Sequence, residues 1–280
     1  MNETEIAELI SKLGHDDKPT LRAAVDALIP LASEFSVVRE TLIRRLLEAE
    51  SGTNEWPIAY ILGHLPQPAQ PVIRSLLDAL DHRDADIRWA VALLLVRIAK
   101  SAPQRVDELI DLCAIGTANQ KRMALYCIRD LRLSDPQSLA ALLRALGDVD
   151  STVRVAAAIA LKSRSDLDRA GRNFLLQTYM NDNEIKVRNA AAIALADLGE
   201  TSTEFLAALQ QAVVGGDEQV RKTAMLPARR RWSTKQGYKL EWCAQTPSAV
   251  PPKGNQSRRI VQHLFYRIKG TVNFSETATV

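Results

Sequence analysis

The chain has 280 residues, with 36 Lys and Arg against 33 Asp and Glu, and therefore a formal net charge of +3. Alanine and leucine supply 38 and 36 residues and glycine only 12, so the composition favours helices and argues against an all-β or disordered chain. No stretch of about 18 uninterrupted apolar residues occurs, and we expect no membrane span.

The N-terminal segment and the cysteines both indicate a reducing environment. Residues 1–14 are acidic and contain no apolar stretch long enough for a signal peptide. The three cysteines, Cys113, Cys127 and Cys243, form no Cys-x-x-Cys pair, and their odd number argues against a disulfide framework. We therefore expect a cytoplasmic protein.

A repeated motif begins near residue 21 and recurs through most of the chain. Residues 153–161 and 187–195 are identical at eight of nine positions. One aligned residue marks each copy, is Arg in six of seven copies, and recurs every 31 to 35 residues. The marker residues are Arg22, Pro57, Arg88, Arg122, Arg154, Arg188 and Arg221. Seven units with a period of about 33 residues are typical of a helical repeat array.

Each repeat is predicted to contain two helices joined by an acidic turn. The first helix carries a leucine stripe with helical spacing, as in Leu139, Leu142 and Leu146. Acidic residues such as Asp148 and Asp150 follow, where they can cap the second helix and interact favourably with its dipole. The second helix is rich in alanine, which lets neighbouring helices approach closely.

The motif Asp-x4-Val-Arg-x2-Ala-Ala-x-Ala-Leu resembles the HEAT repeat family, in the short form found in phycobilisome-lyase-like proteins. The resemblance covers residues 1–231 and implies an all-α fold, a right-handed α-solenoid (superhelix) of about seven two-helix HEAT-like repeats. It further implies that the second helices line a concave surface that binds protein, and it implies no reaction.

The column of marker arginines has two interpretations. Aligned guanidinium groups can track the phosphates of a nucleic acid. The resemblance implies a structural role instead, in which each Arg pairs with the turn carboxylate of a neighbouring repeat. We favour the structural role, because an acidic turn lies close to nearly every marker.

An apolar stripe on the second helices is the candidate binding groove. Projected at 100° per residue, the positions one, four and eight after each marker are predicted to point away from the core. We expect a partner helix or peptide to bind Ile58, Ile61, Trp89, Met123, Tyr126 and Val155. Two alternatives stay open: the stripe belongs to the core, or the chain's own tail covers it.

Catalytic and metal-binding patterns are sparse. The four histidines form no His-Glu-x-x-His motif, and the His-Glu dipeptides of deoxyhypusine hydroxylase, a HEAT-like metalloenzyme, do not occur. His15 and His82 lie beside aspartates in predicted turns, where solvated turn residues are the simpler interpretation than metal ligands. We expect no enzymatic activity, no metal and no cofactor.

The composition changes near residue 229. Residues 229–280 contain ten Lys and Arg against two Glu, a net of +8, which leaves −5 for the first 228 residues. We predict a repeat domain over 1–231 and a basic, aromatic-containing extension over 232–280. The candidate anion or nucleic-acid contacts are Arg229, Arg230, Arg231, Arg258 and Arg259.

The extension permits two local structures and two roles. Alternation in 238–243 and 266–274 predicts a β-hairpin, whereas apolar spacing in 258–269 predicts an amphipathic helix. The segment can cap the last repeat, or it can bind an anionic partner.

The sequence supports three functional hypotheses. The first is a non-catalytic scaffold or adaptor that binds a partner protein. The second is nucleic-acid binding through the basic C-terminal region, as in the HEAT-like alkylpurine DNA glycosylases. The third is an accessory subunit of a lyase or other modifying enzyme, by analogy with the family that the repeat resembles.

Overall fold

A computed structural model describes residues 3–15, 17–48 and 55–215, and this part of the chain forms thirteen α-helices and no strand. Short 3-10 turns occur at Lys12–Gly14 and Pro103–Arg105. The helices are α1 (Glu3–Ser11), α2 (Lys18–Glu34), α3 (Ser36–Glu48), α4 (Trp56–Leu62), α5 (Gln70–Ala79), α6 (Ala85–Ser101), α7 (Val106–Ile115), α8 (Ala118–Leu131), α9 (Pro136–Ala145), α10 (Ser151–Leu161), α11 (Arg169–Asn181), α12 (Ile185–Asp197) and α13 (Thr203–Gly215).

The helices alternate along the chain as first and second helices of two-helix repeats. Helices α2, α4, α6, α8, α10 and α12 are the second helices, and each carries an alanine-rich or leucine-rich core face. The predicted all-α fold class, an α-solenoid of HEAT-like repeats, is confirmed.

The described residues divide into two compact units, the first ending at Ala160 and the second beginning at Leu161. In the first unit, α6 packs on α8, and α7 packs on both α8 and α9. In the second unit, α11 packs on α12. The predicted domain boundary at residue 231 and the predicted hairpin lie outside the described residues.

Acidic residues cap α2, α6 and α10, whereas Thr117 caps α8 and the N-cap residues of α4 and α12 make no side-chain cap hydrogen bond. The Asp84 carboxylate accepts a hydrogen bond from the backbone N–H of Asp86 at 2.9 Å, at the start of α6. Before α10, the Asp150 carboxylate accepts from both the hydroxyl and the backbone N–H of Thr152, at 2.6 and 2.7 Å. These bonds lower the pKa of Asp150, with the Thr152 hydroxyl contributing most. The aspartate caps therefore fix where α6 and α10 begin.

Three marker arginines clamp the turn of their own repeat. In each case Nη1 donates to the backbone carbonyls six and five residues earlier. The distances are 2.5 and 3.0 Å from Arg88 to His82 and Arg83, 2.9 and 3.1 Å from Arg154 to Asp148 and Val149, and 2.6 and 3.2 Å from Arg188 to Asp182 and Asn183. These arginines thus hold backbone carbonyl oxygens of their own turn, a contact that the sequence did not predict.

The remaining described marker residues differ. The Arg22 side chain is 84% exposed and reaches only Asp26, at 3.8 Å, one turn along the same helix. Arg122 donates to the Asn119 side chain at 3.0 Å. Lys121, the residue before it, pairs at 2.9 Å with Asp148 in the turn of the next repeat. The marker arginine therefore holds the turn of its repeat at Arg88, Arg154 and Arg188, whereas Arg22 and Arg122 make other contacts.

Candidate functional site

Helix α6 shows which side chains of a second helix face away from the core. Trp89 and Leu93 lie four residues apart and are 41% and 61% exposed. Arg97, four residues further, is also exposed. Ala92 and Val96, which the sequence projection directs outward, are 3% and 7% exposed. The outward stripe therefore follows positions one, five and nine after the marker.

The same stripe recurs in α4 and α8 at an offset of 33 residues. The equivalent residues are Trp56 and Tyr60 in α4 and His64 just after its end, all half-buried. In α8 they are Arg122, Tyr126 and Asp130, also half-buried. We call Trp56, Tyr60, Trp89, Leu93 and Tyr126 the aromatic band.

Three of the six predicted groove residues lie in the core. Ile58, Ile61 and Met123 are 4%, 0% and 1% exposed, so the prediction that they face outward is wrong. The cause is the repeat alignment: the burial pattern places Glu55 and Lys121, rather than Pro57 and Arg122, in line with Arg88. A shift of one or two residues rotates a helical position by about 100° or 200° and so exchanges core and surface.

The other three predicted residues reach the surface. Trp89 is exposed, and Tyr126 and Val155 are half-buried. Val155 lies 33 residues after Arg122 and occupies the equivalent position on α10. Of these three, the structure shows a contact between Trp89 and Tyr126.

Trp89 and Tyr126 form a stacked pair between α6 and α8. Their ring centroids are 5.1 Å apart, with an angle of 17° between the ring planes. The guanidinium carbon of Arg129 lies over the Tyr126 ring, 5.0 Å from its centroid. Arg129 also pairs with Asp130 at 2.7 Å. The tyrosine ring is thus held by stacking and by a cation–π contact, which limits its rotamer freedom.

A second group of rings lies on α4 and on the turn that follows it. Tyr60 makes edge contacts with Trp56 at 6.4 Å and with His64 at 4.8 Å. The His64 ring contacts the Tyr60 carbonyl through Nδ1 at 2.8 Å, so Nδ1 carries the proton and donates. Burial raises the pKa of Tyr60 and lowers that of His64, and the nearby charge of Arg97 further lowers the His64 pKa. His64 is therefore a neutral ring at pH 7.

A small cleft opens beside this group, between the segment after α4 and helix α6. Its volume is about 220 Å³. The lining residues are Gly63, His64, Leu65, Pro66, Gln67, Pro68, Arg97, Ile98 and Ser101. The cleft thus joins the end of the α6 stripe to a short proline-containing loop.

The cysteines and histidines show no catalytic arrangement among the described residues. Cys113 and Cys127 are buried, and burial raises the pKa of Cys113 to about 12 and also raises that of Cys127, so neither is a thiolate near neutral pH. His82 Nδ1 accepts the backbone N–H of Asp84 at 3.0 Å. No group of three His, Cys, Asp or Glu side chains suited to a metal ion occurs in the described ranges.

The basic candidate contacts lie beyond the described part of the chain. These are Arg229, Arg230, Arg231, Arg258 and Arg259. Within the described part, none of the helices combines the length and apolar character needed to cross a membrane.

Sequence reasoning missed Tyr60, Leu93, Arg97 and Arg129. One signal was present: Trp56 and Trp89 are separated by 33 residues, the period of the repeat. Aligning these two tryptophans, instead of the weak copy of the arginine motif, gives the register that the structure has.

No protein-family model matches the sequence, and no curated protein matches it. The X-ray structure of YibA from Escherichia coli is similar to this chain: it is 16% identical, covers 96% of this chain and 93% of its own, and has a TM-score of 0.54. This likeness shows a shared fold.

Two further structures are less similar. A designed armadillo repeat protein in complex with the peptide (KR)4 is 16% identical, with 80% of this chain and 98% of that chain covered, at a TM-score of 0.39. Human deoxyhypusine hydroxylase in complex with glycerol is 14% identical, with 82% and 97% covered, at a TM-score of 0.33. At these TM-scores neither likeness carries an argument about this chain.

Proposed function

We propose that this protein is a non-catalytic scaffold that binds a helix or an extended segment of a partner protein on the face formed by its second helices. The observation that carries the proposal is the exposure of two large apolar side chains, Trp89 at 41% and Leu93 at 61%, one turn apart on α6. Single exposed apolar residues are ordinary, but adjacent ones beside further rings form a patch that marks an interface.

The ring contacts of the aromatic band support binding in a second way. The Tyr126 ring on α8 is held by Trp89 of α6 and by Arg129 of its own helix. Aromatic side chains that are already ordered lose little conformational entropy when a partner covers them. Trp, Tyr and Arg are also the residues most often found as the energetic centres of interfaces.

We further propose that the repeats are of the short phycobilisome-lyase type and that the repeat domain extends to residue 231. The constant offset of 33 residues between Trp56, Trp89, Arg122 and Val155 supports the short repeat. The composition change near residue 229 supports the boundary. The role of accessory subunit to a modifying enzyme is compatible with a scaffold, but no observation favours it.

Selection from a random peptide library tests the scaffold proposal directly. Immobilised full-length protein selects displayed peptides, and each selected peptide is synthesised and titrated by calorimetry. We expect Trp89→Ala and Leu93→Ala each to weaken binding by about tenfold or more, because each removes a central apolar contact.

The matched control is Ile115→Ala. Ile115 is 85% exposed and lies at the end of α7, a first helix, so its removal tests whether any exposed apolar residue has the same effect. Binding by this variant should equal that of the wild type. Peptides that bind Trp89→Ala and Leu93→Ala as tightly as the wild type would contradict the proposal.

A further inference from the structure

The charged residues of the second-helix face differ in whether they already have partners. Arg22 reaches Asp26 at 3.8 Å, and Arg129 pairs with Asp130 at 2.7 Å. Arg97 is exposed, and within the described ranges its guanidinium has no hydrogen-bond or ion-pair partner. Arg97 is therefore an unpaired positive charge next to the aromatic band in the described part of the chain.

The surroundings of Arg97 suit a carboxylate. The side chain lines the cleft together with His64, Pro66, Pro68 and Ser101. The Ser101 hydroxyl donates to the Ile98 carbonyl at 3.0 Å, and the His64 Nδ1 proton goes to the Tyr60 carbonyl. The side-chain donors left for a ligand among the lining residues are the Gln67 amide and the Arg97 guanidinium, and only Arg97 is charged. A planar guanidinium can bind both oxygens of a carboxylate.

The position of Arg97 relative to the aromatic band sets a distance. Trp89, Leu93 and Arg97 follow one another at intervals of four residues on α6. Eight residues of helix span about 12 Å. An extended peptide advances about 3.3 Å per residue, so about 12 Å corresponds to three or four of its residues.

We infer that the partner is an acidic, extended protein segment that places a large apolar side chain on Trp89 and Leu93 and an Asp or Glu carboxylate, three or four residues away, on Arg97. This inference rests on the proposed function and adds the chemistry of the partner to it. Charge complementarity favours an acidic segment, because Arg97 has no acidic partner, whereas Arg22 pairs with Asp26 and Arg129 pairs with Asp130.

The peptide selection gives the first test. The enriched peptides should carry Asp or Glu three or four positions from a large apolar residue. Each acidic peptide is then synthesised with an amidated C-terminus, both as selected and with Asn or Gln in place of the acidic residue. All peptides are titrated against the full-length wild type, Arg97→Gln, Arg97→Lys and the control Arg44→Gln, which removes an exposed arginine of α3.

We expect neutralising the acidic residue to weaken binding to the wild type by about 5- to 20-fold and binding to Arg97→Gln hardly at all. Arg97→Lys should retain part of the difference, and Arg44→Gln all of it. Affinity of the acidic peptides for the wild type should fall with added NaCl, and that of the neutral peptides should not.

Several results would overturn the inference. These are enrichment of basic peptides, equal binding of acidic and neutral peptides, or dependence on a free C-terminal carboxylate instead of a side chain. If Trp89→Ala abolishes binding while Arg97→Gln leaves it unchanged, the proposed function stands and the acidic partner does not. If no peptide is enriched, or if binding is insensitive to both residues, the proposed function fails as well.

Discussion

Trp89 and Tyr126 show how one contact can serve both folding and binding. Their rings stack at 5.1 Å and join α6 to α8, yet 41% of the Trp89 surface stays exposed. Aromatic pairs of this kind contribute about 0.5–1.5 kcal/mol beyond the area that they bury. The contact with Tyr126 therefore restricts the motion of the Trp89 ring although part of that ring is exposed to solvent.

His82 is a residue whose protonation should affect stability. Its Nδ1 accepts the backbone N–H of Asp84 at 3.0 Å, which requires that this nitrogen carry no proton. Burial lowers the pKa of His82 below its usual value of 6.5. The unfolded chain consequently binds a proton at higher pH than the folded chain does, so stability is present above about pH 6.5 and is lost as the pH falls through the folded pKa.

We predict that the thermal unfolding midpoint is lower at about pH 5.5 than at about pH 7.5. His82→Asn, whose side-chain oxygen can still accept the Asp84 N–H, should reduce this difference. Some difference should persist, because burial also lowers the pKa of His64. His15→Asn removes an exposed histidine and is the control. If the unfolding midpoint of His82→Asn depends on pH as strongly as that of the wild type, His82 is not a source of the pH dependence.

At the scale of the element, the turn clamp explains why the arginine motif recurs. The Arg188 guanidinium donates to two backbone carbonyls in the turn before α12, at 2.6 and 3.2 Å. A turn carbonyl without a partner is unfavourable when it is partly buried, and a charged donor satisfies two of them at once. The arginine therefore recurs because the backbone carbonyls of the turn need a hydrogen-bond donor.

We predict that Arg188→Ala lowers the free energy of unfolding by about 1–3 kcal/mol, because it removes two charge-assisted hydrogen bonds. Urea unfolding followed by circular dichroism measures the change. The matched control is Arg22→Ala, which removes an 84% exposed arginine from the same sequence column and should change stability by less than about 0.5 kcal/mol. Equal effects of the two substitutions would contradict the clamp.

The sequence specified some helices more completely than others. In α6, α10 and α12 the marker Arg is present, and the structure places it in the same role each time. In α4 the marker is missing, and in α8 two basic residues, Lys121 and Arg122, stand side by side. The alignment had no physical criterion for choosing between registers there, and Ile58, Ile61 and Met123 were assigned to the wrong face.

At the scale of the whole molecule, the net charge of +3 combines −5 over residues 1–228 and +8 over residues 229–280. This distribution is the basis of the alternative that the protein binds nucleic acid. Such binding depends on the number of phosphates neutralised and weakens as salt increases.

We predict that replacing Arg229, Arg230, Arg231, Arg258 and Arg259 by Gln lowers the NaCl concentration at which the full-length protein elutes from heparin. The control replaces an equal number of exposed arginines in the described region, namely Arg22, Arg44, Arg74, Arg83 and Arg144. The control has the same net charge and should elute later than the first variant. Elution of both variants together would show that net charge, and not the C-terminal segment, governs binding.

The sequence by itself determined the helical repeat, its period, the aspartate caps of α6 and α10 and the recurrence of the arginine. Each of these depends on a few residues close together in the chain, such as Asp84 with Asp86 or Arg88 with the turn before it. Such local hydrogen bonds require particular residue types at a fixed spacing, so they can be predicted from the sequence.

Only the tertiary structure decided which side chains of a second helix face solvent. A second helix packs against neighbours on more than one side, so both its core residues and its exposed residues can be apolar, and periodicity does not separate them. Leu93 and Val96 have similar hydrophobicity, yet the first is 61% exposed and the second 7%. The exposed stripe that carries the proposed function follows from the helices that pack around α6.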